Sequence, residues 1–238
     1  MAPLRTRALD AVEEMDRPDC DPTRLDRTYA QFALVNRAVS GWRGIYRQQL
    51  RPLLSAASTT TLLDIGCGGG DVPVLLSRWA ARDGLRLEIT AIDPDRRAAA
   101  FAARHRTRAG VTFRRQAAAE LLDAGARFDV VVSNHVLHHL DAGELAGFLA
   151  ESAALSTGLV IHNDLRRSPA AYALFSAGAL VFPGSYIRQD GLTSIRRSYT
   201  AAELRGAAPP GWTVLPRSPF RNLLILDQAP ALSAGGGP

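Results

Sequence analysis

The stretch Thr61-Leu-Leu-Asp-Ile-Gly-Cys-Gly-Gly-Gly-Asp71 joins a short apolar run to three alternating glycines, Gly66, Gly68 and Gly70. The apolar run predicts a buried strand, and residues 72–79 continue with the spacing of a helix. Glycine lets the backbone pass close to a ligand, and the N-terminus of a helix offers free N–H groups. The stretch therefore predicts a strand, a tight turn and a helix start that together bind a nucleotide-like ligand.

The spacing of the glycines separates two classes of ligand. A dinucleotide-binding turn has the pattern Gly-x-Gly-x-x-Gly, whose third glycine would fall at position 71, where this chain has Asp71. A second acid, Asp64, stands two residues before the first glycine. Flanking acids disfavour a pyrophosphate and favour a cationic ligand with an amino-acid tail. A nicotinamide-dependent oxidoreductase is therefore the less favoured interpretation.

The pattern Asp-x-Gly-x-Gly-x-Gly over residues 64–70 resembles the first motif of class I S-adenosylmethionine-dependent methyltransferases. Residues 133–140, Ser-Asn-His-Val-Leu-His-His-Leu, resemble the fourth motif of the small-molecule branch that includes the ubiquinone and menaquinone methyltransferases. This resemblance covers residues 60–227. It implies an α/β fold with a doubly wound, mostly parallel, Rossmann-like sheet of seven strands. It also implies S-adenosylmethionine as cofactor and S-adenosylhomocysteine as product.

The chain is expected to divide into three parts. Residues 1–56 form an arm and two cap helices, residues 57–228 the methyltransferase core with a substrate lid inserted at 166–197, and residues 229–238 a disordered tail. Asp21-Pro22 predicts the start of the first helix, which reaches about Ala38. These two helices either cover the ligand site or only pack against the sheet.

The resemblance also assigns residues to the cofactor site. Asp93 ends the second predicted strand, where a doubly wound fold binds ribose hydroxyls, although it could instead cap the following helix. Gln116 stands where relatives often carry an acid that holds the adenine amino group, and an amide oxygen can accept the same hydrogen bond. The residues expected to contact the cofactor are Asp64, Gly66, Cys67, Gly68, Asp71, Asp93, Pro94, Gln116, Ala117, Ser133 and Asn134.

The implied chemistry is in-line displacement of a methyl group from a sulfonium. Holding the nucleophile, the methyl carbon and the sulfur in line in a dry pocket supplies most of the acceleration. A base is needed only when the nucleophile is protonated, as a phenol with a pKa of about 10 is. The predicted fourth and fifth strands end in candidate bases at the ligand-facing edge of the sheet. We expect His135, His162 and Asp164 to be the catalytic candidates, with His135 closest to the acceptor.

A metal ion is a further alternative at the same edge. His135 and His139 have the spacing of two ligands on one helical turn. However, no Glu completes that pattern, and neither Ser133 nor Asn134 is the aspartate that metal-dependent catechol-type methyltransferases use. We therefore expect no metal site, and a packing role for His139.

The apolar stretch 172–187 indicates the class of acceptor. A lid rich in aromatic and aliphatic side chains favours an apolar, phenolic or polyketide-like metabolite and O-methylation, although the stretch could equally be a core helix. C-methylation of a quinone-type or lipid precursor, and a catalytically silent cofactor-binding scaffold, remain alternatives. The residues expected to contact the acceptor are Tyr29, His138, Phe175, Phe182 and Tyr186.

Composition limits the partners. All the positive charge of the chain, whose net charge is +5, comes from scattered arginines, which do not form a nucleic-acid-binding surface. Nucleic-acid N-methyltransferases usually carry an Asn/Asp-Pro-Pro-aromatic tetrad after the fourth strand, and no such tetrad follows it here. A nucleic-acid substrate is therefore disfavoured. The longest apolar run, residues 169–183, is too short to span a bilayer. Two cysteines cannot form a disulfide framework. We expect a cytoplasmic enzyme of secondary metabolism, and leave a homodimer open.

Overall fold

The computed structural model describes residues 4–106 and 108–228. The tail predicted at 229–238 lies outside the described residues. The strands are β1 (Thr60–Ile65), β2 (Leu87–Ile92), β3 (Val111–Arg114), β4 (Phe128–Asn134), β5 (Ser156–Leu165), β6 (Thr213–Arg217) and β7 (Arg221–Asp227). The α-helices are α1 (Pro22–Val39), α2 (Trp42–Ile45), α3 (Asp71–Arg82), α4 (Arg96–His105), α5 (Ala118–Asp123), α6 (Ala142–Leu155), α7 (Pro169–Gly178), α8 (Ile187–Arg197) and α9 (Ala201–Ala207).

All seven strands form one sheet in the order β3-β2-β1-β4-β5-β7-β6. The first five run parallel to their neighbours, β7 is antiparallel to β5, and β6 is antiparallel to β7. The predicted doubly wound, mostly parallel sheet of seven strands is therefore confirmed. The strand order reverses between β1 and β4, and open α/β sheets bind their ligands beyond the carboxyl ends of the strands at such a point.

The core lies in two layers, one on each face of the sheet. Successive residues of a strand point to opposite faces, so Leu62 packs with Leu76 of α3 on one side, while its neighbour Leu63 packs with Leu155 of α6 on the other. Because both faces are covered, the central strands are continuous apolar runs, as parallel strands in α/β proteins are. The sheet is thus a rigid base for the residues at its edge.

The two N-terminal helices, α1 and α2, precede the first strand. The Asp21 carboxylate caps α1 by accepting from the N–H groups of Thr23 and Arg24, which confirms the predicted start at Pro22. α2 continues through a π turn (Tyr46–Leu50) and a 3-10 turn (Arg51–Leu53). The side chain of Trp42 is buried against the sheet.

Residues 166–197 form two helices, α7 and α8, connected by a 3-10 turn at Ala179–Val181. Phe175 of α7 packs so tightly on Gly191 of α8 that a Cβ at position 191 would lie 2.3 Å from the Phe175 ring. Asp190 of α8 accepts from the backbone N–H groups of Glu14 (2.7 Å) and Met15 (3.0 Å). The N-terminal arm therefore packs on this helical pair.

Among the described residues, no helix is both long enough and apolar enough to cross a bilayer.

Candidate cofactor and acceptor site

A cavity of about 790 Å³ opens at the carboxyl edge of the sheet. The turn after β1 and the ends of β2 and β4 form its base, and α1, α7 and α8 form its walls. Its volume falls within the ~300–1,000 Å³ typical of small-molecule sites. The glycine turn and the apolar segment 172–187 therefore border one continuous space.

The glycine turn adopts a backbone that only glycine accepts without strain. The φ angles of Gly66, Gly68 and Gly70 are +71°, +52° and +75°. A Cβ would lie 2.7 Å from the Val136 side chain at Gly66 and 2.5 Å from the Phe113 ring at Gly70, but it would meet no atom within 4 Å at Gly68. The turn is thus closely packed at Gly66 and Gly70 and open at Gly68, where a ligand can approach the backbone.

Asp64 is a buried acid that has no partner within the described residues. Its side chain is 1% exposed, and neither carboxylate oxygen has a hydrogen-bond partner. Burial, with smaller contributions from the charges of Asp71 and Asp93, raises the pKa of Asp64 well above its ordinary value. A buried carboxylate without partners is unfavourable unless a cation or hydrogen-bond donor compensates it. Because Asp64 borders the cavity, an ammonium group of a bound ligand can do so.

Asp71 lies on the same side of the turn. It begins α3, is buried, and accepts a hydrogen bond from Asn36 Nδ2 at 3.0 Å. Burial raises its pKa. Two acids and the N-terminus of α3 therefore surround the part of the cavity where a ligand's amino-acid group would fit.

Asp93 lies at the end of β2 and is bound to the glycine turn. Its Oδ2 accepts from Gly68 N at 2.8 Å, and its Oδ1 accepts from Asp95 N at 2.9 Å. The cap of α4 is Asp95, which accepts from Arg97 N at 2.7 Å, so Asp93 is not the helix cap that the sequence left open. Each Asp93 oxygen keeps a further lone pair, and the residue borders the cavity. Two hydroxyl donors of a ligand can reach it.

The remaining predicted cofactor residues lie on both sides of Asp93. Pro94, Gln116 and Ala117 border the cavity beyond the end of β2, and Cys67 and Asn134 border it at the turn and at β4. The residues present thus fit an elongated nucleoside with an amino-acid tail. Asn36 was missed by sequence reasoning, because only the packing of α1 on α3 brings it to Asp71.

His135 follows β4 with an unusual backbone. Its φ is +60°, and its N–H donates to Asn163 O at 2.9 Å, which fixes the turn. Its Nε2 is buried and has no hydrogen-bond partner within residues 4–106 and 108–228, and the residue borders the cavity. Burial lowers the pKa of His135 to about 4. The imidazole is therefore neutral near pH 7 and can accept a proton.

His138 lies between two carboxylates. Its Nδ1 is 2.7 Å from Asp164 Oδ1, its backbone N–H donates to Asp164 Oδ2 at 2.7 Å, and its Nε2 is 3.3 Å from Glu13 Oε1. Burial lowers the pKa of His138, but the charge of Asp164 and its hydrogen bond, together with those of Glu13, raise it to about 10. His138 borders the cavity, and as a cation it cannot act as a base near pH 7.

Four predicted site residues are not among those that border the cavity: Ser133, His162, Asp164 and Tyr186. Ser133 Oγ and His162 Nδ1 hydrogen bond at 2.8 Å, and the His162 ring packs between Phe148 and Trp212. Burial lowers the pKa of His162 to about 3. The predicted strand ended at His162, but β5 continues to Leu165, so His162 lies inside the sheet.

Asp164 does not border the cavity itself, but it contacts His138 and its charge acts on His135, both of which do. The Tyr186 hydroxyl accepts from Asp21 N at 2.8 Å, and the ring packs with Leu25 and Tyr29 below the cavity wall. The predicted acceptor contacts Tyr29, Phe175 and Phe182 do border the cavity. Three apolar neighbours missed by sequence reasoning complete the wall: Phe32, Ile195 and Phe220.

Comparisons with known proteins agree with this architecture. A methyltransferase domain family matches residues 62–157. The ubiquinone biosynthesis O-methyltransferase of Azorhizobium caulinodans is 36% identical over 136 residues, covering 56% of this chain and 49% of that protein. Its counterpart from Methylobacterium nodulans is 36% identical over 166 residues, covering 68% of this chain and 61% of that protein. The chain thus spans about half the length of most of the curated relatives it matches.

Solved structures show the same fold at low identity. The plantazolicin methyltransferase BpumL in complex with S-adenosylhomocysteine superposes with a TM-score of 0.58 at 14% identity, covering 86% of this chain and 95% of that one. The CurJ carbon methyltransferase gives a TM-score of 0.58 at 14% identity, covering 91% and 63%. The glycine turn, the strand order and these relatives together identify residues 62–157 as a methyltransferase domain of the class I S-adenosylmethionine-dependent family.

Proposed function

We propose that this protein transfers a methyl group from S-adenosylmethionine to a hydroxyl oxygen of an apolar, phenolic acceptor. The observation that carries the proposal is the shared cavity. One end contains the unpaired Asp64 and the glycine turn, and the other is enclosed by Phe32, Phe175 and Phe182. A cofactor and an acceptor can therefore meet in one space.

Each polar residue at the cofactor end has a role that matches one part of that molecule. Asp64 would compensate the ammonium group, Asp93 would accept from the ribose hydroxyls, and Gln116 would bind the adenine amino group. When bound, the cofactor supplies an electrophilic methyl carbon on a sulfonium.

The acceptor end supplies orientation and exclusion of water. Rings from α1 and α7 line the cavity together with Ile195 of α8. Apolar walls hold a flat aromatic acceptor and exclude water from the reacting atoms, which is where most of the acceleration in such displacements arises. An acceptor with a polar or charged body would lose hydration without gaining partners.

His135 is the proposed proton acceptor. It is neutral near pH 7, its Nε2 has no hydrogen-bond partner in the described part of the chain, and it borders the cavity. His135 Nε2 would take the hydroxyl proton as the acceptor oxygen bonds to the methyl carbon that S-adenosylmethionine supplies, and the electrons of the broken carbon–sulfur bond would stay on sulfur. The products are the methyl ether, S-adenosylhomocysteine and a proton that later leaves to solvent.

O-methylation is favoured over C-methylation by the relatives. The two proteins from Azorhizobium caulinodans and Methylobacterium nodulans, both 36% identical, are O-methyltransferases of ubiquinone biosynthesis, and a phenolic hydroxyl is the matching acceptor. C-methylation of a quinone-type precursor remains the second candidate, since the same cavity would hold an acceptor whose ring carbon faces His135.

The test is turnover with S-adenosylmethionine carrying an isotopically labelled methyl group. The protein is incubated with a panel of alkyl-substituted phenols, catechols and matched methyl-blocked phenols. We expect labelled aryl methyl ethers from the free phenols and none from the blocked compounds. Label on a ring carbon would replace the proposal by C-methylation. Cofactor binding without transfer to any compound, or to any component of a cell extract, would favour a non-catalytic scaffold.

A further inference from the structure

We propose that Glu13, His138 and His139 bind a divalent transition-metal ion of the Zn²⁺ class in the wall of the cavity. Glu13 comes from the N-terminal arm, residues 4–20, and the histidines come from the 3-10 turn Leu137–His139 after β4. This site is separate from the residues proposed to hold the cofactor, and its existence does not depend on methyl transfer.

The three donor atoms already have nearly the spacing of metal ligands. One donor atom from each residue lies within 4.8 Å of the other two. Glu13 Oε1 is 3.3 Å from His138 Nε2 and 4.0 Å from His139 Nε2. A tetrahedral ion with bonds of ~2.0–2.1 Å separates its ligand atoms by roughly 3.3 Å. The separation of Glu13 Oε1 from His138 Nε2 already matches this value, and the His139 donor, whose side chain is 33% exposed, has to move closer.

Both histidines are oriented by a second carboxylate. Asp164 Oδ1 lies 2.7 Å from Nδ1 of His138, and Asp16 Oδ2 lies 3.3 Å from Nδ1 of His139. The hydrogen bond to Asp164 favours the proton on Nδ1 of His138 and leaves its Nε2 to bind a metal, and Asp16 is placed to favour the same arrangement in His139. Carboxylate–histidine pairs of this kind are the usual outer partners of metal-binding histidines.

The turn that carries the histidines is held rigidly. Arg197 of α8 donates to the backbone oxygen of His138 at 3.2 Å and to that of His139 at 2.9 Å. Arg7 of the arm also donates to His138 O at 3.2 Å. The backbone that carries both histidines is therefore fixed before an ion binds, which lowers the cost of assembling the site.

One buried donor atom of this cluster, His138 Nε2, is incompletely satisfied, whereas Glu13 Oε1 also accepts from Ser194 Oγ at 2.7 Å. His138 is 2% exposed, and its Nε2 has no hydrogen-bond partner among the described residues, although Glu13 Oε1 is 3.3 Å away. A charge-assisted N–H···O bond would be ~2.7–2.9 Å long. The alternative is a proton on Nε2 that makes a loose ion pair with Glu13. A metal ion would displace that proton and bind both atoms directly.

The donor set indicates the chemistry of the ion. Two imidazole nitrogens and one carboxylate suit Zn²⁺, Co²⁺ or Ni²⁺, whereas Mg²⁺ prefers oxygen ligands. Three protein ligands leave at least one position for another ligand. His138, His139 and Asp16 all border the cavity, so that position faces the acceptor end and can take water or an acceptor oxygen. The ion would also tie the arm to the edge of the sheet.

The experiment is calorimetric titration of the full chain, first stripped with a chelating resin, with ZnCl₂ and with MgCl₂. We expect one Zn²⁺ per chain and no heat from Mg²⁺. Glu13→Gln and His139→Asn should each weaken Zn²⁺ binding at least about tenfold, and Asp164→Asn about 10–100-fold, the range for loss of an outer partner. The matched controls Glu14→Gln and His105→Asn should bind as the wild type does.

Circular dichroism verifies that each variant is folded, and His139→Asn is the safest variant because its side chain is partly exposed. Absence of Zn²⁺ binding to the folded wild type would leave the cluster as an ion pair and overturn the proposal. Equal binding by Glu13→Gln, His139→Asn and the controls would also overturn it, because the ion would then bind elsewhere. Neither result bears on cofactor binding, which is measured separately.

Discussion

Replacing Asp64 by Asn should stabilise the protein and weaken cofactor binding at the same time. In the protein without ligand, Asp64 is 1% exposed and neither oxygen has a hydrogen-bond partner among the described residues. Leaving such a group unsatisfied costs about 1–3 kcal/mol, and more when it is charged. The amide is buried in the same way and keeps the cost of an unsatisfied polar group, but it cannot ionise and so avoids the additional cost of a buried charge. We therefore expect the free energy of unfolding at pH 7 to rise by about 1 kcal/mol or more.

The same charge should favour the ammonium end of the cofactor. Loss of a charge-assisted contact costs about 1–3 kcal/mol, which corresponds to a dissociation constant about 5- to 150-fold higher. A substitution that only damaged the fold would lower both stability and affinity. The opposite signs of the two effects therefore distinguish a binding residue from a structural one.

The stabilisation should depend on pH in a defined direction. Because burial raises the pKa of Asp64, the folded protein holds the proton more tightly than the unfolded chain does. The penalty in the wild type is therefore absent below the ordinary Asp pKa of ~3.9 and grows as the pH rises towards the folded pKa. Wild type and Asp64→Asn should have similar stability near pH 4 and differ most at neutral and higher pH.

Urea unfolding from pH 4 to pH 8 and calorimetry with S-adenosylhomocysteine measure the two effects. Asp123→Asn, at the exposed end of α5, is the matched control and should change neither quantity. The reasoning is refuted if Asp64→Asn lowers stability at pH 7, or if its affinity for S-adenosylhomocysteine equals that of the wild type.

Three further changes test other parts of the site. Asp93→Ala should weaken S-adenosylhomocysteine binding by about 1–3 kcal/mol in calorimetry; an unchanged affinity would remove the ribose assignment. His135→Ala should lower kcat at least about tenfold and leave cofactor affinity intact. In the wild type the rate should fall only as the pH drops through about 4. A rate for the variant within twofold of the wild type would mean that His135 is not the base. Gly70→Ala should lower the free energy of unfolding by at least about 1–3 kcal/mol, because its φ is +75° and the new Cβ would lie 2.5 Å from the Phe113 ring. The control is Gly147→Ala, which lies in the interior of α6 with open space around it. This substitution should leave stability unchanged or raise it slightly.

The features that sequence reasoning predicted well are local ones. β1, the glycine turn and the start of α3 follow from eleven consecutive residues, and the cap at Asp21-Pro22 follows from two. Asp93 is found by counting along one strand. In each case the physical cause, a positive φ or a helix cap, lies within a few residues of its effect.

The features that sequence reasoning did not predict depend on distant contacts or on the depth of a strand. Glu13 reaches His138 only because the arm packs on α8, and no spacing in the sequence indicates that approach. His162 was expected at the cavity because the predicted strand stopped there, but three further residues of β5 pair with β7 and place it inside the sheet. The pairing of β5 with a strand about sixty residues later decided that outcome.

The central claim is that the glycine turn, with Asp64 and Asp93, binds a methionine-derived nucleoside. Calorimetric titration of the full chain with S-adenosylhomocysteine, and separately with NAD, tests it most directly. The account predicts saturable binding of one S-adenosylhomocysteine per chain and no heat from NAD. Heat from NAD alone, or from neither compound, would contradict it.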